Sequence, residues 1–138
     1  MKNLFLVFML FVITGSVVAQ KKSNQHRVVI QLTSEDTLVH KSLMKQLNNI
    51  LTAAPDTKIE VVCHGPGINI LIIDKTIIQD KIQQMKKKGV IFMACNNTLK
   101  ERNIAKERII PEAGFVPSAL VEIITKQEEG WSYIKSGF

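Results

Sequence analysis

The chain has 138 residues, two cysteines and a formal net charge of +6. This length suits one domain with a single core, so two domains are not expected. Nucleic-acid surfaces interleave basic and aromatic residues on one face, whereas the aromatic residues here are few and scattered, so we predict no nucleic-acid binding.

The first 19 residues resemble a secretory signal peptide. Lys2 gives a short positive region, residues 4–13 are an unbroken apolar run, and residues 17–19 approach a cleavage site. The apolar run is shorter than the roughly 20 residues that a spanning helix needs, so we expect cleavage, with a retained anchor as the alternative. The predicted domains are a signal peptide at 1–19 and an exported α/β domain at 20–138, periplasmic or secreted, without stable membrane insertion after cleavage.

Strand-like and helix-like segments alternate from the start of the mature chain. Residues 26–32 form a β-branched run, which predicts the first strand. Thr33-Ser34-Glu35-Asp36 fits a capping box, so a helix should begin there and end at Pro55. Residues 58–63 are the second predicted strand, and His64-Gly65-Pro66-Gly67 is a turn signal.

The second half of the chain continues the alternation. Asp74 could cap the next helix, which Gly89 ends, with Lys86 to Lys88 compensating the helix dipole in its last turn. Val90 to Ala94 is apolar throughout, as expected for a third strand covered on both faces. The remaining elements are predicted as a helix at 98–108, a strand at 115–116, a helix at 118–129 and a strand at 131–135.

Strands that alternate with crossover helices predict parallel pairing. We therefore expect an α/β fold, a three-layer flavodoxin-like sheet with helices on both faces. In the flavodoxin-like order the first strand lies between the second and the third. The ends that carry Cys63 and Cys95 would then be roughly 9.5 Å apart, beyond the reach of a disulfide, so we predict two separate cysteines that can face one cleft.

Cys95 is the main candidate for chemistry. It ends the third predicted strand, at the sheet edge where ligands and catalytic groups collect. Asn96, Asn97 and Thr98 follow, and residues of these types cap helices, so free N–H groups and the helix dipole would favour a thiolate. The alternative is a buried structural cysteine without reactivity.

Cys63 and His64 end the neighbouring strand and offer two further possibilities. They could form a nucleophile and its base, although adjacent strand residues point to opposite faces and only the loop could bring them together. Cys63, His64 and Cys95 lack the usual spacing of metal ligands, so no metal site is predicted. Gly65-Pro66-Gly67 lacks the lysine and hydroxyl of a phosphate loop, and we predict no cofactor.

Four segments together resemble the DsrE/DsrF-like family of small α/β proteins, specifically its single-domain branch. The segments are "VVCHGPG", "GVIFMACNNTL", "VPSALVEI" and "QEEGWSYIK", in the family's order over nearly all of the mature chain. The resemblance implies a flavodoxin-like fold, homo-oligomers that are often trimers or multiples of them, and a cysteine that carries sulfur as a persulfide. Cys95 is the residue to which that role carries over, with Asn96, Asn97 and Thr98 as its surroundings.

The leading hypothesis is therefore a sulfur-handling protein in which Cys95 takes sulfur from a donor and passes it to an acceptor, neither of which the sequence names. Asn96, Asn97, Thr98, Cys63 and His64 are the predicted supporting residues. The rival hypothesis is a non-catalytic module that binds a small ligand or a protein in the strand-end cleft, so whether the chain is an enzyme stays open.

Overall fold

The computed structural model describes residues 25–137, so the predicted signal peptide lies outside the described residues. Two layers of helices enclose a sheet, as the alternation of apolar strands and amphipathic segments predicts. The strands are β1 (Arg27–Leu32), β2 (Lys58–Cys63), β3 (Ile91–Cys95), β4 (Gly114–Val116) and β5 (Ser132–Ser136). The α-helices are α1 (Thr37–Ala53), α2 (Gln79–Lys87), α3 (Asn96–Glu101) and α4 (Ala119–Glu128), and 3-10 turns occupy Gly65–Leu71 and Lys106–Arg108.

All paired strands of the sheet run parallel, in the order β4-β3-β2-β1-β5. This confirms the predicted α/β architecture, but the predicted position of the first strand is wrong. β2 pairs directly with β3, with Val61 in register with Phe92, while β1 lies between β2 and β5. Apolar strands such as β1, β2 and β3 can each occupy a central position, so their composition does not determine their order.

The sheet separates two apolar cores, because successive strand residues point to opposite faces. The larger core lies under α1 and α2 and includes Cys63 at the end of β2. The smaller core lies under α4 and includes Cys95 at the end of β3. The buried members of this smaller core are Val29, Val62, Cys95, Val116, Ala119 and Ile123.

Helix α1 begins later than the capping box predicts. Its N-cap is Asp36, whose carboxylate accepts a hydrogen bond from the backbone N–H of Leu38 at 2.7 Å. The Ser34 hydroxyl accepts a hydrogen bond from the backbone N–H of Asp36 at 3.1 Å, outside the helix. A carboxylate next to free N–H groups makes a strong cap, which places the helix start three residues further along than the predicted hydroxyl cap.

Two other predicted helices are also shorter. Asp74 does not cap α2, which begins after Ile78, and its carboxylate instead forms an ion pair with Arg108 at 2.8 Å. The predicted helix at 98–108 ends at Glu101, since Asn103 adopts a left-handed conformation with φ of 51° that breaks the helix. Helix α4 and β5 lie within a residue or two of their predicted bounds.

Helix α4 leaves part of its surface apolar. Leu120, Val121 and Ile124 are each more than half exposed, while Ala119 and Ile123 on the other side of the helix are buried against the sheet. Within residues 25–137, no helix has the length and apolar character needed to span a bilayer.

Candidate functional site

Cys95 lies where β3 ends and α3 begins. It is the last residue of the strand and the N-cap of the helix, so its backbone is still extended while the next residue is helical. The side chain points toward α4 and is 4% exposed. The strand thus delivers a nearly buried sulfur to the carboxyl edge of the sheet, where the sequence predicts it.

The sulfur lies at the start of two helices. The backbone N–H of Ala119, the first residue of α4, donates a hydrogen bond to Cys95 Sγ at 3.3 Å. The N–H groups of Asn97 and Thr98 in α3 lie near the sulfur without forming a regular capping hydrogen bond. Burial raises the pKa of Cys95, but the nearby N–H groups and the Thr98 hydroxyl lower it by more, so the pKa lies below the usual thiol value.

The side chain of Thr98 connects this sulfur to the loop after β2. Thr98 is 4% exposed, and its Oγ1 accepts a hydrogen bond from the backbone N–H of Gly65 at 3.0 Å. Because the oxygen is occupied as an acceptor, the hydroxyl proton is available to the sulfur, which agrees with the effect of Thr98 on the pKa of Cys95. Thr98 therefore lies beside Cys95, as its place in the sequence predicts.

Cys63 lies on the other side of the sheet from Cys95. Cys63 is in register with Ala94, one residue before Cys95, and it is fully buried in the larger core. Both cysteines are free, as predicted, but the predicted reason is wrong, because they lie on adjacent strands and cannot face one cleft. Burial raises the pKa of the Cys63 thiol far above its usual value, so this residue stays neutral and unreactive.

The comparisons with known proteins agree with this fold. The model of the family described as DsrE/DsrF-like matches residues 9–136, which is most of the chain. The chain belongs to the DsrE/DsrF-like family. No curated protein matches it.

Two solved structures share the DsrE-like fold of this chain. MTH1491 from Methanobacterium thermoautotrophicum is 28% identical, with a TM-score of 0.77 over 80% of this chain and 99% of that one. BT1422 from Bacteroides thetaiotaomicron is 14% identical, with a TM-score of 0.63 over 79% of this chain and 93% of that one. Both are described as proteins of unknown function, so they support the fold and not a particular reaction.

In this DsrE/DsrF-like chain, His64 lies at the sheet edge beside Cys95 and does not pair with Cys63. The register of Cys63 with Ala94 places His64 and Cys95 at the next position of the two neighbouring strands. His64 Nε2 lies 2.7 Å from Gln31 Nε2, and the Tyr133 hydroxyl donates a hydrogen bond to Gln31 Oε1. Burial lowers the pKa of His64, so the imidazole is neutral near pH 7 and Gln31 can donate to its unprotonated nitrogen.

The structure therefore does not form the possible nucleophile and base pair of Cys63 with His64, against which the alternation of strand residues already argued. Their positions at the end of β2 direct them to opposite faces of the sheet. A three-ligand metal site from Cys63, His64 and Cys95 is excluded for the same reason, and the described part of the chain holds no group of three or more ligating side chains.

Asn96 and Asn97 do not hold the sulfur with their side chains. They line a groove of about 680 Å³ that opens beside Cys95, between α3 and Pro117. The side-chain oxygen of Asn96, Oδ1, is buried rather than exposed to the groove, and it has no hydrogen-bond partner among residues 25–137. The sequence predicts that these two residues surround Cys95. It does not predict the groove, which forms where the chain turns at Asn103 after α3 ends.

Replacing Thr98 tests the support of the sulfur. We expect Thr98→Val to raise the pKa of Cys95, because the hydroxyl is lost, and to destabilise the fold by about 1–2 kcal/mol, because the Gly65 N–H loses its partner. The pH dependence of Cys95 alkylation by iodoacetamide measures the first effect and urea unfolding measures the second. Thr98→Ser keeps the hydroxyl and is the matched control. If the valine and serine variants alkylate with the same pH dependence, Thr98 does not support the thiolate.

Proposed function

We propose that this protein handles sulfane sulfur and that Cys95 carries the sulfur as a persulfide. The proposal is supported mainly by one observation, the hydrogen bond from the N–H of Ala119 to Cys95 Sγ at the start of α4. A nearly buried thiol normally resists ionisation, whereas this one has a lowered pKa because N–H groups surround it. Family membership supports the same chemistry.

The proposed transfer needs no external oxidant or reductant. The Cys95 thiolate attacks the outer sulfur of a persulfide donor, and a new sulfur–sulfur bond forms to Cys95 Sγ. The sulfur–sulfur bond of the donor breaks, and the donor's inner sulfur leaves as a thiolate with the electron pair. In the second step an acceptor thiolate attacks the outer sulfur of the Cys95 persulfide, that sulfur leaves with its proton as the acceptor's persulfide, and Cys95 Sγ is released as a thiolate with the electron pair.

The small exposure of Cys95 restricts the kind of donor. Only 4% of the residue is accessible, so the attacked sulfur has to project from a slender chain. Persulfides and linear polysulfides have this shape. His64 lies at the same edge but is neutral, so it does not stabilise the thiolate with a positive charge. The N–H groups of α3 and α4 are therefore the main groups that stabilise the thiolate.

A non-catalytic binding module is the second candidate function. The groove beside Cys95 supports it, because a volume of about 680 Å³ is in the range of small-molecule sites. In this case Cys95 would have no role in function, and replacing it would leave ligand binding unchanged.

Sulfur uptake separates the two candidates. Reduced protein is incubated with polysulfide, and its intact mass is measured for the addition of a sulfur atom. We expect Cys95→Ser to abolish the adduct and Cys63→Ala, the matched control, to retain it, because Cys63 is fully buried on the other face. Uptake by Cys95→Ser equal to that of the parent would leave the binding module as the better account.

Export and assembly remain proposals. The family resemblance motivates a homo-oligomer, and the exposed apolar side chains of Leu120, Val121 and Ile124 on α4 offer a surface that a second copy could cover. The segment at 1–19 motivates export to the periplasm or beyond. Sulfur transfer there would need a donor and an acceptor outside the cytoplasm.

A further inference from the structure

The groove beside Cys95 lies within one or two residues of both chain segments that contact the sulfur. Asn96, which lines it, directly follows Cys95, and Pro117, which also lines it, is two residues before Ala119. Its floor is apolar, with Leu99 and Ile104. Cys95 is not itself a lining residue, so a molecule in this groove would have to extend past Asn96 to reach the sulfur.

The groove is positively charged. Lys100 and Lys106 line it, and no carboxylate is among its lining residues. Within residues 25–137 neither lysine forms an ion pair, although Glu101 and Glu107 are their chain neighbours. Lys106 instead lies over the Phe115 ring, 5.2 Å from its centroid, which holds the ammonium at the wall.

The remaining polar groups of the groove are amides. Asn103 is held there by its left-handed backbone, with φ of 51°. Asn97 and Asn103 are exposed there, whereas Oδ1 of Asn96 is buried and not accessible from the groove. A ligand that fits should therefore combine negative charge, for the lysines, with hydrogen-bonding groups, for the exposed side-chain amides of Asn97 and Asn103.

The volume favours an organic ligand. A groove of about 680 Å³ is far larger than an inorganic oxyanion needs. We propose that it binds a low-molecular-weight thiol that bears carboxylate and amide or amino groups, such as a cysteinyl peptide. This deepens the proposed function and rests on it for the transfer step, in which the bound molecule is the persulfide donor or the thiol acceptor of Cys95.

The binding can be tested without any sulfur chemistry. Full-length Cys95→Ser protein is titrated with S-methylglutathione, a tripeptide that has two carboxylates and no free thiol, and amide shifts are followed by nuclear magnetic resonance. We expect shifts at Asn96, Lys100 and Asn103, and an affinity about tenfold lower for Lys100→Gln/Lys106→Gln. Lys41→Gln/Lys45→Gln on α1 removes the same charge from exposed positions away from the groove and should leave the affinity unchanged.

The diethyl ester of the same peptide is a second test that needs no lysine substitution. We expect the ester, which has no carboxylate, to cause no shifts in the groove. Equal binding of peptide and ester, equal weakening by both lysine pairs, or no shifts at groove residues would each overturn the proposal. Because Cys95 is absent from the titrated protein, a failure to bind would leave the proposed sulfur chemistry unaffected. Conversely, if the peptide binds but the parent protein takes up no sulfur, only the proposed sulfur chemistry is contradicted.

Discussion

Gly67→Ala is expected to destabilise the protein by about 3 kcal/mol. A Cβ at this position would overlap the backbone of β1, with Leu32 C at 2.6 Å and Thr33 Cα at 2.9 Å, besides Leu32 O. Backbone atoms in a buried strand cannot move aside cheaply, so the turn at Gly65–Leu71 would have to shift. Urea unfolding measures the loss.

Gly114→Ala is the matched control for this prediction. Its Cβ would meet Met93 Sδ at 2.9 Å, the far end of a flexible side chain that can rotate away. We expect a loss of about 1 kcal/mol there. The turn also carries Gly65, whose N–H binds Thr98, so Gly67→Ala should slow alkylation of Cys95 as well. Equal destabilisation by the two alanines would contradict the close approach of Gly67 to β1.

Lys126→Met is expected to destabilise the fold by about 3 kcal/mol at pH 7. Glu60 on β2 is 3% exposed beneath α4, and Lys126 Nζ lies 3.3 Å from Glu60 Oε2. The same ammonium lies 3.5 Å from Glu122 Oε1 and 4.9 Å from the centroid of the Trp131 ring. Removing it leaves a buried carboxylate without a cation, and Glu60 Oε1 already lacks a partner within the described chain.

The effect of Lys126→Met should depend on pH. Burial raises the pKa of Glu60 even beside Lys126, so this carboxyl binds its proton more tightly in the folded state than in the unfolded chain. That tighter binding stabilises the fold fully below the unfolded pKa of about 4.3 and is lost as the pH rises through the folded value. Without Lys126 the folded pKa rises further, so the defect of the variant should be large at pH 7 and small near pH 4.

Two controls accompany this prediction. Adding Glu60→Gln to Lys126→Met removes the buried charge and should recover much of the lost stability at pH 7. Lys87→Met, at an exposed position of α2, should change stability by no more than about 0.5 kcal/mol. A loss for Lys126→Met that is the same at pH 4 and pH 7 would contradict the role of the Glu60 charge.

The elements of the sheet could be predicted from the sequence, but their order could not. Strands such as Val90 to Ala94 are recognised by their apolar runs and by the turns that bound them. Strand order depends on the side of the preceding strand on which each crossover connection places the next one. The connection through α2 places β3 beside β2, on the side opposite β1. The faces of Cys63 and Cys95 follow only once Cys63 is known to be in register with Ala94.

The site was predictable where it is local in sequence. Cys95 stands out because an apolar strand is followed at once by helix-capping residues, and Thr98 belongs to the same segment. The N–H of Ala119 comes from 24 residues further along the chain, and it reaches the sulfur because Cys95 is in register with Val116 of β4. The Gly65 N–H and the Gln31–Tyr133 contact are likewise tertiary, and no spacing pattern marks them.

Locating the bound sulfur in the parent protein tests the central proposal most directly. After incubation with polysulfide the protein is alkylated and digested, and each cysteine peptide is examined by tandem mass spectrometry for an extra sulfur atom. Persulfide on the peptide that contains Cys95, with Cys63 recovered as an unmodified thiol, is the predicted result. Sulfur on Cys63, or on neither cysteine, would contradict the proposal that Cys95 carries it.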